Sequence, residues 1–544
     1  MQCLVLVERG VTEYNNVVDV TIDDGLKGFF SRLRREVPPG VLRPLLTAPQ
    51  GREEQRVADY GISQELSLTS VLMGTLLERE DIGFAAVDDD EILKKYSDYI
   101  AEKLQEVSLV LVSSTYAVSL KTIEDILAFI REQTKGRDVT VVVGGKSITM
   151  WRMNYRIGEA MYQRLGEADY FFFGDGDSSL GPLARRLLDG EQVRDLPGLA
   201  WRGPEGYEGS VEHVLVPPDE IAVPDWSVVL RHEFNARRYD RLPKAVGIEE
   251  GRGCAFNCRF CTYASIAKFC RKDPIALADE LERIAGLGIE RVSFFGSELL
   301  TPISFSQPLL TELVRRDLPL EIWTFARLDM ISKHPELAEL MHKAKVTTIQ
   351  FGLESGSPEL LKAMNKKFDP HKQAPGVRLL HENGIQVKAS VIIGYPGETE
   401  ATLAETQEVL AECAFDEVML HGLAVLPGTP LYDDRESFGI RMLPSGWVHE
   451  TMRSTDLPHH IRNMIVYLTE NTDSFVVNVG QNFTPRFLGR DNAEGDLREP
   501  TRRLQRLLSE HWKAEAGLVP RVDRLALVKD LLAVTDFVPS RYGQ

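Results

Sequence analysis

The sequence is poor in cysteine, holds fewer basic than acidic residues, and lacks any long apolar run. Six cysteines in 544 residues, three of them clustered, do not form the pattern of a disulfide framework. No stretch approaches the roughly 18 consecutive apolar residues of a membrane span, and the apolar start at Cys3 is too short for a signal peptide. The 63 basic residues are outnumbered by 81 acidic ones, which argues against a broad nucleic-acid surface. We therefore expect a soluble, cytoplasmic protein without a membrane or nucleic-acid partner.

Short apolar runs alternate with longer helical patterns over residues 1–203. Such alternation, with near-continuous apolar strands, predicts a doubly wound parallel sheet of the flavodoxin or Rossmann type. Ligands bind such sheets outside the carboxyl ends of the strands. The predicted strands are Cys3–Val7, Ile82–Val87, Leu109–Ser113, Val139–Val143 and Tyr170–Phe173.

Three further segments follow. Residues 204–243 lose periodicity and gain Pro, Gly and charge, which predicts a linker with little regular structure. Residues 244–435 hold six strand–helix units, which predict a partial, TIM-like (β/α)6 barrel with its chemistry at the strand carboxyl ends. Residues 436–544 are predicted to form a mostly helical region that caps the barrel or lines a substrate pocket. The predicted barrel strands begin at residues 244, 291, 320, 347, 386 and 417.

Three of the six cysteines are clustered just after the first predicted barrel strand. Cys254, Cys258 and Cys261 have the spacing Cys-x3-Cys-x2-Cys, with Phe260 before the third. Soft thiolates at this density favour an iron–sulfur cluster or zinc. A closed zinc site wants four ligands, and no fourth cysteine or histidine lies in that window, although a zinc knuckle or three unrelated buried cysteines remain alternatives. Three ligands on a [4Fe-4S] cluster leave one iron open for a small chelating ligand.

This run resembles the signature of the radical S-adenosylmethionine (SAM) family, in which the open iron is held by the amino and carboxylate groups of SAM. Later motifs add to the resemblance. Gly296, Ser297 and Glu298 resemble the Gly-Gly-Glu element that meets the SAM amino group, with serine in place of the second glycine. The resemblance implies further SAM contacts from the bidentate donor Arg327 and, in the motifs after later strands, from Glu354, Ser355 and Gly394, with Phe260 and Tyr263 in the cysteine loop.

The turns after the first-sheet strands resemble the cobalamin-binding domain that precedes the cluster motif in one large radical SAM class. The resemblance places Ser113, Ser114 and Thr115 under the corrin ring. Around the nucleotide tail it places two glycine turns, with the residues Gly144, Gly145, Gly174, Asp175 and Gly176. The Asp-x-His-x-x-Gly motif that supplies an axial histidine is absent, and the first histidine is His213, so we expect no histidine ligand to cobalt. A generic nucleotide-binding or structural sheet is the alternative.

The resemblance implies a cobalamin-dependent radical SAM enzyme of the class B methyltransferase type, which transfers a methyl group from SAM through methylcobalamin to a carbon of a small molecule or peptide. An external flavodoxin- or ferredoxin-type protein would donate electrons. The alternatives are a cobalamin-dependent rearrangement or cyclisation, methylation at an sp² carbon without a deoxyadenosyl radical, and a non-catalytic cobalamin and iron–sulfur sensor. Scattered Cys3, Cys270 and Cys413 argue against a second cluster.

Two smaller sets of residues are left open by the sequence. Substrate-pocket candidates in the C-terminal region are Trp447, His449, His459, His460 and Tyr467, although core or surface positions are commoner for such residues. A general base, if the reaction needs one, has Tyr263, Tyr395 and these histidines as candidates.

Overall fold

The computed structural model describes residues 1–8, 16–37, 67–89, 91–117, 119–153, 157–210, 212–237, 239, 242–263, 267–444, 446–476, 498–519 and 522–532. Two large sheets dominate these residues, and both are built mainly from parallel strands covered by helices. The protein is therefore a mixed α/β structure.

Eight strands form the first sheet: β1 (Cys3–Glu8), β2 (Phe84–Asp89), β3 (Leu109–Ser113), β4 (Thr140–Gly144), β5 (Tyr170–Phe172), β6 (Leu199–Gly203), β7 (Gly206–Gly209) and β8 (Glu233–Phe234). Their order is β7-β6-β5-β4-β3-β1-β2-β8. Neighbouring strands pair in parallel, except that β5 pairs with β6, and β6 with β7, in antiparallel fashion. The strand β2 lies on one side of β1, and the chain then crosses to β3 on the other side. The topological switch point therefore lies between β1 and β3.

The first five strands begin within two residues of their predicted starts. The helices of this part are α1 (Asn16–Glu36), α2 (Leu68–Glu78), α3 (Ile92–Leu104), α4 (Leu120–Gln133), α5 (Lys146–Met153), α6 (Gly158–Arg164), α7 (Leu180–Leu188) and α8 (Val228–Arg231), with a 3-10 turn at Pro218–Glu220.

The segment predicted to be an irregular linker differs from that description. It contributes β7, β8 and α8, and Trp226 within it is only 1% exposed. Burial of this indole among apolar neighbours stabilises the segment although its sequence has no period. The domain boundaries themselves stay a prediction.

Seven parallel strands form the second sheet: β9 (Ala245–Ile248), β12 (Arg291–Phe294), β13 (Glu321–Phe325), β14 (Val346–Glu354), β15 (Gln386–Ile393), β16 (Glu417–Gly422) and β19 (Phe475–Val476). They lie in the order β19-β16-β15-β14-β13-β12-β9. Six of them start within one residue of the predicted barrel strands, and β19 was not predicted. Closure of this sheet into a partial (β/α)6 barrel stays a prediction.

The helices that accompany the second sheet are α9 (Pro274–Gly286), α10 (Ile303–Arg316), α11 (Leu328–Lys333), α12 (Glu336–Lys343), α13 (Pro358–Ala363), α14 (Ala374–Glu382), α15 (Glu400–Cys413) and α16 (Pro430–Asp433). Two small antiparallel hairpins interrupt the pattern, β10 (Gly251–Arg252) with β11 (Cys270–Arg271), and β17 (Arg441–Leu443) with β18 (Gly446–Val448).

The described C-terminal residues include the helices α17 (Leu457–Asn471), α18 (Arg498–Glu515) and α19 (Arg524–Leu532) beside the short strands β17, β18 and β19, and a mostly helical domain there stays a prediction. The N-terminal helix α1 packs on α17 and α18. Arg32 of α1 pairs with Glu515 at 2.9 Å, and a Cβ on Gly25 would lie 2.6 Å from the Trp512 ring. The N-terminal helix α1 thus packs against the C-terminal helices. No helix among the described residues is both long and apolar enough to cross a bilayer.

One of two apolar clusters contains residues of both sheets. Leu4 and Leu6 of β1 pack with the helices on one face of the first sheet, whereas Val5 and Val7 belong to a second cluster that continues into Val246 of β9. This alternation follows from the period of two in a strand. A common core means that the carboxyl ends of the two sheets have a defined relative position.

Candidate active site

The three clustered cysteines lie in a loop that is closed at its base by the β10–β11 hairpin. Gly251 pairs with Arg271 and Arg252 with Cys270. Gly253 follows with a φ of +66°, and a Cβ there would lie 2.5 Å from the Ala267 carbonyl oxygen, so only glycine fits this crossing of the two ends. The hairpin gives the loop a fixed entry and exit.

The structure brings the three cysteines together as free thiols within this loop. The amide of Phe256 donates to Cys254 Sγ and that of Tyr263 to Cys261 Sγ, both at 3.4 Å. Burial raises the pKa of the Cys261 thiol to about 11 and also raises the pKa of Cys258. Thiols in this state become good ligands when a metal displaces their protons, so the donor set suits a metal centre.

Two cations flank the cysteine loop. Arg327 lies with its guanidinium 4.3 Å from the centre of the Phe256 ring, and Lys366 lies with its ammonium 5.8 Å from that of Phe260. Both lower the pKa of Cys258, although burial has the larger, opposite effect. Positive charge beside the sulfur atoms favours their anionic form.

Both cations have partners within the chain. Lys366 Nζ lies 2.7 Å from Glu354 Oε1, and both side chains are nearly buried. Arg327 donates to Asp329 Oδ1 at 2.8 Å and to the Lys367 carbonyl at 3.2 Å. The predicted SAM-binding residues Glu354 and Arg327 therefore each form an ion pair within the chain, with Lys366 and Asp329 respectively.

The turn at Gly296, Ser297 and Glu298 carries unsatisfied polar atoms. Glu298 Oε1 accepts from the amide of Leu300 at 2.8 Å, whereas Glu298 Oε2 and Ser297 Oγ are buried without a hydrogen bond. Burial raises the pKa of Glu298. Unpaired buried acceptors are costly, so this turn is prepared for a hydrogen-bond donor.

Gly296 is required by the protein itself. Its amide donates to Glu250 Oε2 at 2.7 Å, and a Cβ there would lie 1.9 Å from that carboxylate. Glu250 is 1% exposed and pairs with Arg271 at 3.1 Å. Glu250 thus links the base of the cysteine loop to the turn that carries Glu298.

The later predicted turns are held by contacts within the chain. Ser355 is fully buried, and its Oγ accepts from the Ser357 amide at 3.1 Å. Gly394 has a φ of +101°, and its amide donates to Glu398, whose pKa burial raises to about 8. Contacts within the chain therefore hold Ser355 and Gly394 in place, and their contacts with SAM stay a prediction.

The first-sheet turns also pack on each other. Ser114 Oγ donates to the Gly144 carbonyl at 2.8 Å and accepts from the Ile148 amide at 3.1 Å. Ser113 Oγ donates to Thr115 Oγ1 at 3.0 Å. A Cβ on Gly145, whose φ is +106°, would lie 2.7 Å from the Thr115 nitrogen.

The second glycine turn meets another part of the chain. A Cβ on Gly174 would lie 2.2 Å from the Val214 carbonyl, so close backbone approach requires this glycine. Gly176 accepts from the Leu180 amide at 2.9 Å through its carbonyl. Asp175 Oδ2 accepts from the Val216 amide at 3.2 Å.

A cleft lies between the glycine turn at Gly174 and the cysteine loop. Its walls include Lys146, Thr149 and Gly174 from the first sheet, and Arg252 and Tyr263 from the cysteine loop. The Lys146 ammonium lies 5.5 Å from the centre of the Tyr263 ring, and the Tyr263 hydroxyl donates to the Phe295 carbonyl at 2.6 Å. Gly174 and Asp175 of a predicted cobalamin turn therefore face the same space as Tyr263, whereas the three cysteines are not among the residues that line it.

A family model described as the radical SAM superfamily matches residues 248–410, which include the cysteine loop, Glu298, Arg327, Glu354 and Gly394. Residues 248–410 form a radical SAM domain.

Known proteins extend the likeness beyond the radical SAM domain. An uncharacterized methyltransferase of Pyrococcus horikoshii is 23% identical over 359 residues, which cover 65% of this chain and 72% of that protein. The hopanoid C-2 methylase of Rhodopseudomonas palustris is 30% identical over 226 residues, 39% of this chain and 41% of that protein. The structure of the cobalamin-dependent SAM radical enzyme OxsB, solved with aqua-cobalamin and SAM, is also similar. The match covers 100% of this chain and 77% of the OxsB chain, with a TM-score of 0.62 and 13% identity. The described residues thus share the fold of that enzyme over about three quarters of its length.

Several residues that organise the radical SAM domain were missed from the sequence. Glu250, Arg252 and Lys366 all make buried ion pairs around the cysteine loop. The charged residues that flank the cysteine cluster could have indicated that ion pairs surround the loop. Their partners could not be identified, because they are distant in sequence. Pairing across 75 residues, as between Arg252 and Asp177, is not visible in a periodic pattern.

His213 lines the cleft although it follows the predicted first domain. A backbone bridge between Gly174 and Val214 brings it there, and burial lowers its pKa while Asp175 opposes that shift. The cleft therefore contains a histidine that the sequence placed elsewhere. The absence of a histidine ligand to cobalt stays a prediction.

The C-terminal candidates support the radical SAM domain or lie apart from the cleft lining. His449 Nε2 donates to the Gly394 carbonyl at 3.0 Å, since a carbonyl can only accept, and its ring stacks on Trp447 at 4.9 Å. His459 and His460 lie in the first turn of α17, where their ligand atoms and one of Glu400 are within 4.8 Å of one another. Tyr467 is farther along α17, and Tyr395 donates to the Ala363 carbonyl at 3.2 Å. None of these six candidate residues is among those that line the cleft.

Proposed function

We propose that this chain is a cobalamin-dependent radical SAM methyltransferase that transfers a methyl group from SAM, through methylcobalamin, to a carbon of a small molecule or peptide. The observation that supports the proposal is the cleft, because Gly174 and Asp175 of a predicted cobalamin turn line it together with Gly253 and Tyr263, which flank the cysteine cluster. Two relatives are named a methyltransferase and a methylase, which supports methyl transfer, whereas a relative from Rubrivivax gelatinosus is named a cyclase, so cyclisation is the alternative that the test must separate.

The residues present fit a [4Fe-4S] cluster with SAM. Cys254, Cys258 and Cys261 would hold three irons. Ser297 Oγ and Glu298 Oε2 have no hydrogen bond and would accept from the SAM amino group. Arg327, beside the loop, would meet the SAM carboxylate after exchange of its bond to Asp329.

The residues at the carboxyl ends of the first sheet fit cobalamin in position and in chemistry. The turn at Ser113, Ser114 and Thr115 offers neutral polar groups next to the topological switch point. Gly144 and Gly145 lie against it without side chains, and Gly174 and Asp175 line the same cleft. Ser114 is engaged within the chain, so Thr115 is the better contact for the corrin.

When bound, the cluster supplies the electron that cleaves SAM, and cobalamin carries the methyl group to be transferred. The chain's own task is to hold SAM and substrate in register and to exclude water. Phe260, Tyr263 and the paired cations form the protein side of that space. The electron donor is proposed to be a flavodoxin- or ferredoxin-type protein.

The test is metal analysis together with product analysis of protein purified without oxygen from cobalamin-fed cells. We expect about four iron and one cobalt per chain. With substrate and reductant, S-adenosylhomocysteine and 5′-deoxyadenosine should form in equal amounts. Absence of S-adenosylhomocysteine with any substrate contradicts methyl transfer, and absence of cobalt after reconstitution contradicts the role of the first sheet.

A further inference from the structure

Arg252 joins the cysteine loop to the first sheet. Its Nη1 donates to Asp177 Oδ2 at 2.8 Å and its Nη2 to Asp177 Oδ1 at 3.0 Å, a bidentate geometry. Nη2 and Nε also donate to Glu249 Oε2 at 3.0 Å, and Asp175 lies 3.2 Å from Nη1. The guanidinium thus bridges two segments that are 75 residues apart in sequence.

Both ends of this bridge are attached to rigid backbone. Arg252 lies in the β10–β11 hairpin, two residues before Cys254. The Asp177 side chain is 3% exposed, and its Oδ1 also accepts from the Ala222 amide at 2.9 Å. Motion of the cysteine loop relative to the first sheet therefore requires that the bridge break.

Burial makes this bridge hard to break. The Arg252 side chain is 12% exposed, so water replaces its hydrogen bonds poorly. Loss of one partner leaves a buried charge without compensation, which is much costlier than loss of an exposed pair. Lysine cannot reproduce the bidentate contact, because its ammonium lacks the planar fork of arginine.

We propose that Arg252 is a positioning residue whose bidentate bond to Asp177 fixes the cysteine loop, and with it Cys254, at one distance from the carboxyl ends of the first sheet. The proposal rests on the proposed function, in which these two places hold the cluster and cobalamin. Its consequence is that Asp177 sets the separation between the cluster and cobalamin. Asp177 was not among the residues predicted to line the cobalamin site.

The substitution Asp177→Asn gives the sharpest variant. An asparagine oxygen still accepts from the Ala222 amide, so the change removes one charge and leaves the shape. Arg252→Lys perturbs the other end. The matched control is Asp195→Asn, because Asp195 also pairs with an arginine, Arg186 at 2.8 Å, but is 69% exposed.

Amide hydrogen exchange of cofactor-free protein tests the bridge without reference to cobalamin. We expect the hairpin amides of Gly251–Arg252 and Cys270–Arg271 to exchange ~10–100-fold faster in Asp177→Asn than in the wild type, and to be unchanged in Asp195→Asn. Unchanged exchange in Asp177→Asn overturns the proposal.

Pulsed dipolar EPR of the reduced holoenzyme then measures the separation between the paramagnetic cluster and cob(II)alamin. We expect one narrow distance distribution for the wild type and Asp195→Asn, and a broad one for Asp177→Asn and Arg252→Lys, at equal iron and cobalt content. A narrow, unshifted distribution in both variants overturns the positioning role. Failure of the wild type to bind cobalt is a different outcome: it contradicts the proposed function, and the exchange result alone then decides whether the bridge holds the loop.

Discussion

The buried pair of Lys366 and Glu354 should be strongly coupled, and the coupling is measurable. Their charged atoms are 2.7 Å apart, with side chains 12% and 10% exposed. Coulomb attraction at this distance is about 6 kcal/mol at an effective dielectric constant of 20. Desolvation of both ions offsets most of that, so we expect a net coupling of ~1.5–3 kcal/mol.

The perturbation is Lys366→Met, which keeps the length of the side chain and removes its charge. Because Glu354 then stays buried without a partner, we expect the opening free energy of β14 to fall by ~3 kcal/mol. Glu354→Gln should cost less, and the double variant should recover the coupling as non-additivity.

Native-state amide exchange of β14 is the suitable assay, because a chain with two large sheets need not unfold in a single step. The control cycle uses Lys121 and Asp125, an exposed pair for which we expect no measurable coupling. Additivity of Lys366→Met and Glu354→Gln within ~0.5 kcal/mol would refute the reasoning, because the pair would then contribute nothing beyond its separate side chains.

Three further outcomes follow from the same geometry. Cys254→Ser should lower the iron content below that of the wild type and remove the cluster EPR signal. Cys270→Ser should keep the iron and the signal, because Cys270 lies in the hairpin outside the spacing motif. Iron loss in both variants would contradict the assignment of the cluster ligands. Glu398 has a pKa raised to about 8, so its contribution to stability is complete below the ordinary carboxyl pKa of 4.5 and is lost as the pH rises through about 8. Thermal melts of Glu398→Gln should therefore show a flatter decline between these pH values, and an unchanged slope contradicts the shift. Gly145→Ala should lower both stability and cobalamin binding, because its Cβ meets Thr115, whereas Gly136→Ala, also at positive φ but with no atom within 4 Å, should show the backbone cost alone; equal melting temperatures would contradict the steric argument.

Much of the fold was readable from local pattern. Buried parallel strands are apolar on both faces, so β1 to β5 and the six predicted strands of the second sheet stand out as short apolar runs between helical periods. Strands that pair through few residues, such as β8 and β19, carry no such pattern and were missed. The N-terminal helix α1 was missed as well.

The cysteine spacing and the later motifs, read from the sequence alone, predicted the radical SAM domain, because ligand chemistry depends on residue type and short separations. Only the tertiary structure decided which charges surround that loop. Glu250, Arg252 and Lys366 acquire their roles from partners at Gly296, Asp177 and Glu354. Such pairs form when buried strands and turns converge, and the free energy of a buried charge depends on its spatial neighbours, which a linear sequence does not order.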